Sequence, residues 1–123
     1  MSIAVKGLRT CIYRVNDIQK AIAWYSKVLG IEPYFNESFY VGFNVAGYEL
    51  GLQPEESNEP KTATVLTYWG VDDVAKTFQT LIALGATPFE EPTEVGGGIV
   101  VGAVKDPWGN IFAIIYNPTF MLP

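Results

Sequence analysis

Apolar residues recur along this chain in two alternating rhythms, one helical and one extended. Ile18, Ala21, Ile22, Tyr25, Val28 and Leu29 are spaced three and four apart, the stripe of an amphipathic helix. Asn16-Asp17 precedes this stripe and Gly30 follows it, so short side chains stand where a first turn needs an acceptor and a glycine where a left-handed cap belongs. The pattern predicts a helix over 18–29. Before it, 8–15 is rich in β-formers. After it, Phe39, Val41, Phe43 and Val45 alternate, and Ala46-Gly47 separates them from Tyr48-Glu49-Leu50-Gly51-Leu52 in the manner of a hairpin.

The same plan then repeats. Val15, Asp17 and Lys20 reappear at a constant offset as Val71, Asp73 and Lys76, and after a one-residue gap Gly30 and Pro33 answer to Gly85 and Pro88. Residues 63–71 form a β-rich run, and Val74, Thr77, Phe78, Leu81, Ile82 and Leu84 make a second helical stripe. Pro88, Pro92 and Gly96-Gly97-Gly98 punctuate an expected loop, with the three glycines at a mobile rim. Residues 99–104 and 111–116 then read as strands around the turn Asp106-Pro107-Trp108-Gly109-Asn110. Each half is strand, helix and about three strands. The polar stretch 54–62 is the expected exposed connection. Modules of about 6–54 and 62–118 in a chain of 123 residues are expected to share one domain.

Composition narrows the chemistry. Hydrophobic residues at 49% against charged residues at 17% are an ordinary globular balance. A net charge of −5 argues against a nucleic-acid partner, whose phosphates require a basic surface. Histidine is absent and Cys11 is the only cysteine, which excludes a disulfide within the chain, a Cys/His zinc cluster and a nucleophile–histidine pair. No apolar run approaches the roughly 20 residues that span a bilayer, so no membrane partner is expected. Met1-Ser2-Ile3-Ala4-Val5 lacks the layout of a secretory signal, and the expected location is cytoplasmic. The glycine triplet has no following Lys-Ser/Thr and is not a phosphate cradle.

Three spaced motifs, together with the repeat, resemble the vicinal oxygen chelate superfamily, which includes glyoxalase I, extradiol dioxygenases, and fosfomycin- and bleomycin-resistance proteins. They are Thr10-Cys11-Ile12-Tyr13-Arg14-Val15-Asn16-Asp17 with Trp24-Tyr25 and Leu29-Gly30, the central Val71-Asp72-Asp73-Val74, and Asp106-Pro107-Trp108-Gly109-Asn110. The resemblance implies an α+β fold of two βαβββ modules forming a curled mixed sheet around a central cavity, commonly completed as a homodimer. It also implies four metal-ligand positions, which fall here on Thr10, Glu49, Leu66 and Ala113. Only Glu49 is a good ligand, because leucine and alanine offer no lone pair and threonine only a neutral hydroxyl. No metal and no other cofactor is therefore expected.

Arg14 matches a position that in glyoxalase I contacts a substrate carboxylate; it is read either as a ligand contact or as an ion-pair partner. Tyr34, Phe39, Phe43, Tyr68, Trp108 and Phe112 fall in strands or turns that line the cavity in the family, whereas Trp24, Tyr25 and Phe78 sit on the helix stripes and read as core. Asp17 and Asp73 read as helix caps. The expected ligand-binding set is Thr10, Arg14, Phe39, Phe43, Glu49, Leu66, Tyr68, Trp108 and Ala113, with Glu49 as the candidate catalytic carboxylate. The resemblance implies a metal-independent protein that binds or sequesters a small organic molecule, with the aromatic walls contributing more than Glu49. The alternative is a glyoxalase- or lyase-type enzyme using Glu49 as base or remnant metal ligand. A domain acting only through protein contacts is the third reading.

Overall fold

A computed structural model describes residues 4, 6, 8–57, 60–62 and 65–121. The chain divides into two compact units, 1–58 and 59–123. Each is a βαβββ module with its own four-stranded sheet, so the fold is the α+β arrangement expected of the repeat.

In the first module β1 (Thr10–Val15) leads into α1 (Ile18–Leu29), and β2 (Phe35–Glu37), β3 (Tyr40–Val45) and β4 (Tyr48–Pro54) follow. The strand order is β1-β4-β3-β2, with β1 parallel to β4 and the other pairs antiparallel, and the sheet remains open at β1 and β2. Helix α1 starts where Asp17 accepts a 3.1 Å hydrogen bond from the Lys20 N–H, and it ends at Gly30 with φ 70°. It buries Ala21 and Tyr25, and the Tyr25 ring stacks on Tyr13 at 5.9 Å. Tyr13, Val15, Val41, Phe43, Leu50 and Leu52 complete the core on that face of the sheet. Strand alternation then sends Thr10, Ile12 and Arg14, Glu49, Gly51 and Gln53, and Tyr40, Gly42 and Asn44 to the opposite face.

The second module repeats this with β5 (Tyr68–Gly70), α2 (Val74–Ala83), β6 (Thr87–Gly96), β7 (Ile99–Lys105) and β8 (Ile111–Tyr116), in the order β5-β8-β7-β6. Asp73 caps α2 by accepting from the Lys76 N–H at 3.0 Å, as Asp17 does for α1. Val74, Phe78 and Leu81 are buried, and Gly102 lets Val74 approach: a Cβ there would lie 3.2 Å from Val74 Cγ1. The turn 106–110 is held by Asp106, a buried carboxylate that accepts from the backbone N–H of Trp108 and Asn110 and from Asn110 Nδ2 at 2.7–3.1 Å. Lys61 Nζ closes over the turn, donating to the Trp108 carbonyl at 2.8 Å and to Asn110 Oδ1 at 3.3 Å.

Three expectations change. The stretch read as a loop around Pro88 and Pro92 is the ten-residue edge strand β6, with irregular register against β7. Proline is tolerated at an edge, and bulges there blunt pairing with other chains. The glycine triplet, read as a rim loop, is instead a tight hairpin turn: Gly96 pairs with Ile99, while Gly97 and Gly98 have φ 63° and 78°. The β-rich run 63–71 narrows to Tyr68–Gly70, with 63 and 64 outside the described residues. Among the described residues no helix is long and apolar enough to cross a membrane.

Candidate functional site

The face of the first sheet opposite α1 carries a cluster built on Glu49. Register sets Thr10 beside Glu49 on one side and Asn44 beside it on the other. Thr10 Oγ1 donates to Glu49 Oε1 at 2.8 Å, Tyr40 Oη donates to the same oxygen at 2.6 Å, and Tyr34 Oη donates to Oε2. One half-buried carboxylate is thus held by three hydroxyls.

Two glycines make room for the rings. Gly42 and Gly51 are cross-strand partners. A Cβ on Gly42 would meet Glu49 Oε2 at 2.8 Å and the Tyr34 ring at 3.1 Å, and one on Gly51 would strike the Tyr40 hydroxyl, with the ring carbons at 2.7 and 2.9 Å. The sheet surface here is bare backbone on which both phenols lie flat enough to reach one acceptor. A glycine inside a strand pattern marks such a close approach.

The hydroxyl donors favour the charged carboxylate. Hydrogen bonds from Tyr34 and then Tyr40 pull the Glu49 carboxyl below its ordinary value, against an opposing push from partial burial, and Thr10 adds to the lowering. The same contacts raise the phenols. For Tyr40 burial is the larger cause and the bond to Glu49 the next, whereas for Tyr34 the bond to Glu49 comes first. Glu49 is therefore an anion stabilised in place. Beside it lies a shallow depression of about 190 Å³ lined by Arg9, Tyr34, Asn44, Gly47, Tyr48 and Glu49.

The profile of the Glyoxalase/Bleomycin resistance protein/Dioxygenase superfamily matches residues 7–114, most of the chain. The chain belongs to this superfamily. Among individual relatives it is 30% identical over 131 residues to the lactoylglutathione lyase of Arabidopsis thaliana, covering 85% of this chain and 42% of that protein. A putative lactoylglutathione lyase of Brassica oleracea matches over the same shares. The chain thus spans less than half the length of these relatives. Among solved structures, a glyoxalase-related enzyme from Fulvimarina pelagi superposes with a TM-score of 0.80 at 18% identity, covering 97% of this chain and 94% of its own. A fosfomycin resistance protein from Listeria monocytogenes gives 0.74 at 19%, covering 96% and 97%. These two likenesses speak to the fold.

Against the superfamily's metal chemistry the residues present do not fit. Both oxygens of Glu49 already accept hydroxyl hydrogen bonds, Thr10 is spent as one of the donors, and Leu66 and Ala113 carry no lone pair. Among the described residues no group of three or more His, Cys, Asp or Glu gathers to hold an ion.

The expected site residues separate. Thr10 and Glu49 meet directly, and Glu49 faces away from the α1 core with Gly51 and Gln53. Arg14 is on the same face but opposite Gln53. Four residues along β1 place it about 13 Å from Thr10, at strand rise. Phe39 lies between β2 and β3, 65% exposed, its ring edge-on to Phe35 at 6.3 Å. Phe43 is fully buried, on the face of the sheet opposite Gly42 and Asn44. Ala113 is likewise fully buried, in β8 between Tyr68 and Ala103. Leu66, Tyr68 and Trp108 are in the second module. Leu66 and Tyr68 are more than a third exposed, and Trp108 is half-buried in the Asp106 turn.

Of the clamp's phenols, Tyr34 is anticipated only as an aromatic wall, and Tyr40 is missed. A signal for Tyr40 existed in the sequence: two glycines, Gly42 and Gly51, interrupt neighbouring strand patterns at positions the hairpin register brings opposite one another.

Proposed function

We propose that this member of the superfamily binds a small organic molecule on the Glu49 face of its first module, without a metal ion at the superfamily's four ligand positions. The observation that carries this reading is the clamp on Glu49. A carboxylate awaiting a divalent cation must keep lone pairs open to it, whereas three of the four on this one are taken by Thr10, Tyr34 and Tyr40. The clamp also weighs against Glu49 as a general base. A base works best with a pKa near the operating pH, and the hydroxyls move this one the other way. The likeness to lactoylglutathione lyases supports the second reading, lyase-type turnover. A homodimer belongs to the first reading, since open edges at β1 and β2 are normally covered or paired.

Elemental analysis of protein purified without chelators tests the proposal. The expected result is no stoichiometric transition metal, with ligand affinity unchanged by a chelator and a dimer by light scattering. One tightly held metal per chain, lost on Glu49→Ala, would overturn it. Formation of lactoylglutathione at a rate abolished by Glu49→Gln would replace it with the lyase reading.

A further inference from the structure

The depression beside Glu49 holds two opposite charges that do not meet. Arg9 and Glu49 both line it, yet among the described residues Arg9 forms no ion pair. The Glu49 carboxylate is restrained by its three hydroxyl donors, so it does not swing to the guanidinium. Its two oxygens are also unequal. Oε1 accepts from both Thr10 and Tyr40, which fills its lone pairs, while Oε2 accepts from Tyr34 alone and retains one. Asn44 is polarised in the same sense. Its Oδ1 accepts from the Gly47 N–H at 2.8 Å, so Nδ2 is the side chain's remaining donor, and Asn44 lines the depression. The cavity therefore presents an anion-binding end, Arg9 with Asn44, and a cation-accepting end, Glu49 Oε2, with Tyr48 at its margin.

Volume sets the size of the occupant. At about 190 Å³ the depression is well below the roughly 300 Å³ at which drug-sized pockets begin. A carboxylate alone would use Arg9 and Asn44 and leave Glu49 facing it with like charge. An ammonium alone would leave Arg9 unmatched. We propose that this depression is a subsite for a small zwitterion of the α-amino-acid type, its carboxylate on Arg9 and Asn44 Nδ2 and its ammonium on Glu49 Oε2. The inference deepens the metal-free binding reading and rests on it.

The test is an amide chemical-shift titration of the full chain, with and without a chelator, using three probes that differ by one group. They are L-valine, isovalerate (which lacks the ammonium) and isobutylammonium (which lacks the carboxylate). Valine is expected to shift the amides of Arg9, Asn44, Gly47 and Tyr48 and to bind at least about tenfold more tightly than either partial probe. Arg9 is exposed, so Arg9→Gln leaves the fold intact; it is expected to weaken valine about tenfold or more while leaving isobutylammonium unchanged. Isovalerate binding as tightly as valine, valine binding indifferent to Arg9→Gln, or shifts mapping elsewhere on the protein would overturn the zwitterion subsite and leave the metal-free reading standing. Valine binding only after a divalent metal is added, and lost on Glu49→Ala, would overturn both.

Discussion

Replacing Gly51 by alanine sets a local preference against a packing demand. In a strand interior alanine ordinarily gains about 0.5–1 kcal/mol over glycine, and Gly51 is not among the residues with positive φ, so its backbone accepts a side chain. The added methyl, however, would lie 2.7 Å from Tyr40 Cζ and 2.9 Å from Cε1, where real Cβ atoms are not found. Tyr40 must leave the sheet surface, and its 2.6 Å hydrogen bond to Glu49 goes with it. A hydrogen bond to a charged group contributes about 1.5–3 kcal/mol, and the low end applies because water reaches a half-buried carboxylate. The net expectation is a loss of about 1 kcal/mol where the propensity alone promises a gain, equivalent to roughly 3–5 °C in Tm for a chain of this size. With Tyr40→Ala already in place the clash is gone, and Gly51→Ala should become stabilising. Urea and thermal denaturation of the four proteins in this cycle measure the coupling, expected at about 2 kcal/mol. If Gly51→Ala acts alike in both backgrounds to within about 0.5 kcal/mol, Tyr40 does not occupy the space above Gly51 and the clamp is misdrawn.

Four further outcomes follow from contacts and geometry described above. Because the folded state lowers the Glu49 pKa, its contribution to stability is fully present above pH 4.5 and is lost as pH falls through the lower folded value; Tyr34→Phe with Tyr40→Phe should flatten that acid limb in denaturation measured against pH. The raised phenols act at the other end, with stability present below pH 10.0 and declining as pH rises beyond it, a decline the same double variant removes. Ala46 holds φ 53° in the two-residue turn between Val45 and Tyr48, a position that favours asparagine or glycine, so Ala46→Asn should stabilise by about 0.5–1 kcal/mol in urea unfolding. Asp106→Ala leaves buried donors of Trp108 and Asn110 without their acceptor and should cost about 3 kcal/mol, read as a lower denaturation midpoint.

How far the sequence carried these conclusions depended on whether a feature was local. Both helices were legible, since Asp17, Asp73, Gly30 and the apolar stripes all act within one or two turns. The hairpin at Ala46-Gly47 was legible for the same reason. Strand β6 was not, because its two prolines and exposed glutamates describe an edge, and being an edge is decided by which strand lies beside it. At the site, Thr10 and Glu49 were legible through superfamily resemblance, but the resemblance also nominated Phe43 and Ala113, and pleat alternation leaves both buried. Tyr40 escaped because its role is carried by Gly51 on another strand, a contact that appears only once the register between β3 and β4 is known.

Lys61 has a consequence for how the chain can be cut. It stands two residues into the second unit, yet its ammonium is fastened to the turn just before the last strand, β8. The start of that unit is therefore laced to a point near its end. A fragment of the second module begun after Lys61 would carry the Trp108 carbonyl and Asn110 Oδ1 without their cation, whereas one begun a few residues earlier would keep the lace. Proteolytic nicking on the amino-terminal side of Lys61 should release a fragment that still holds its turn, and insertions are better placed there than between Lys61 and β5.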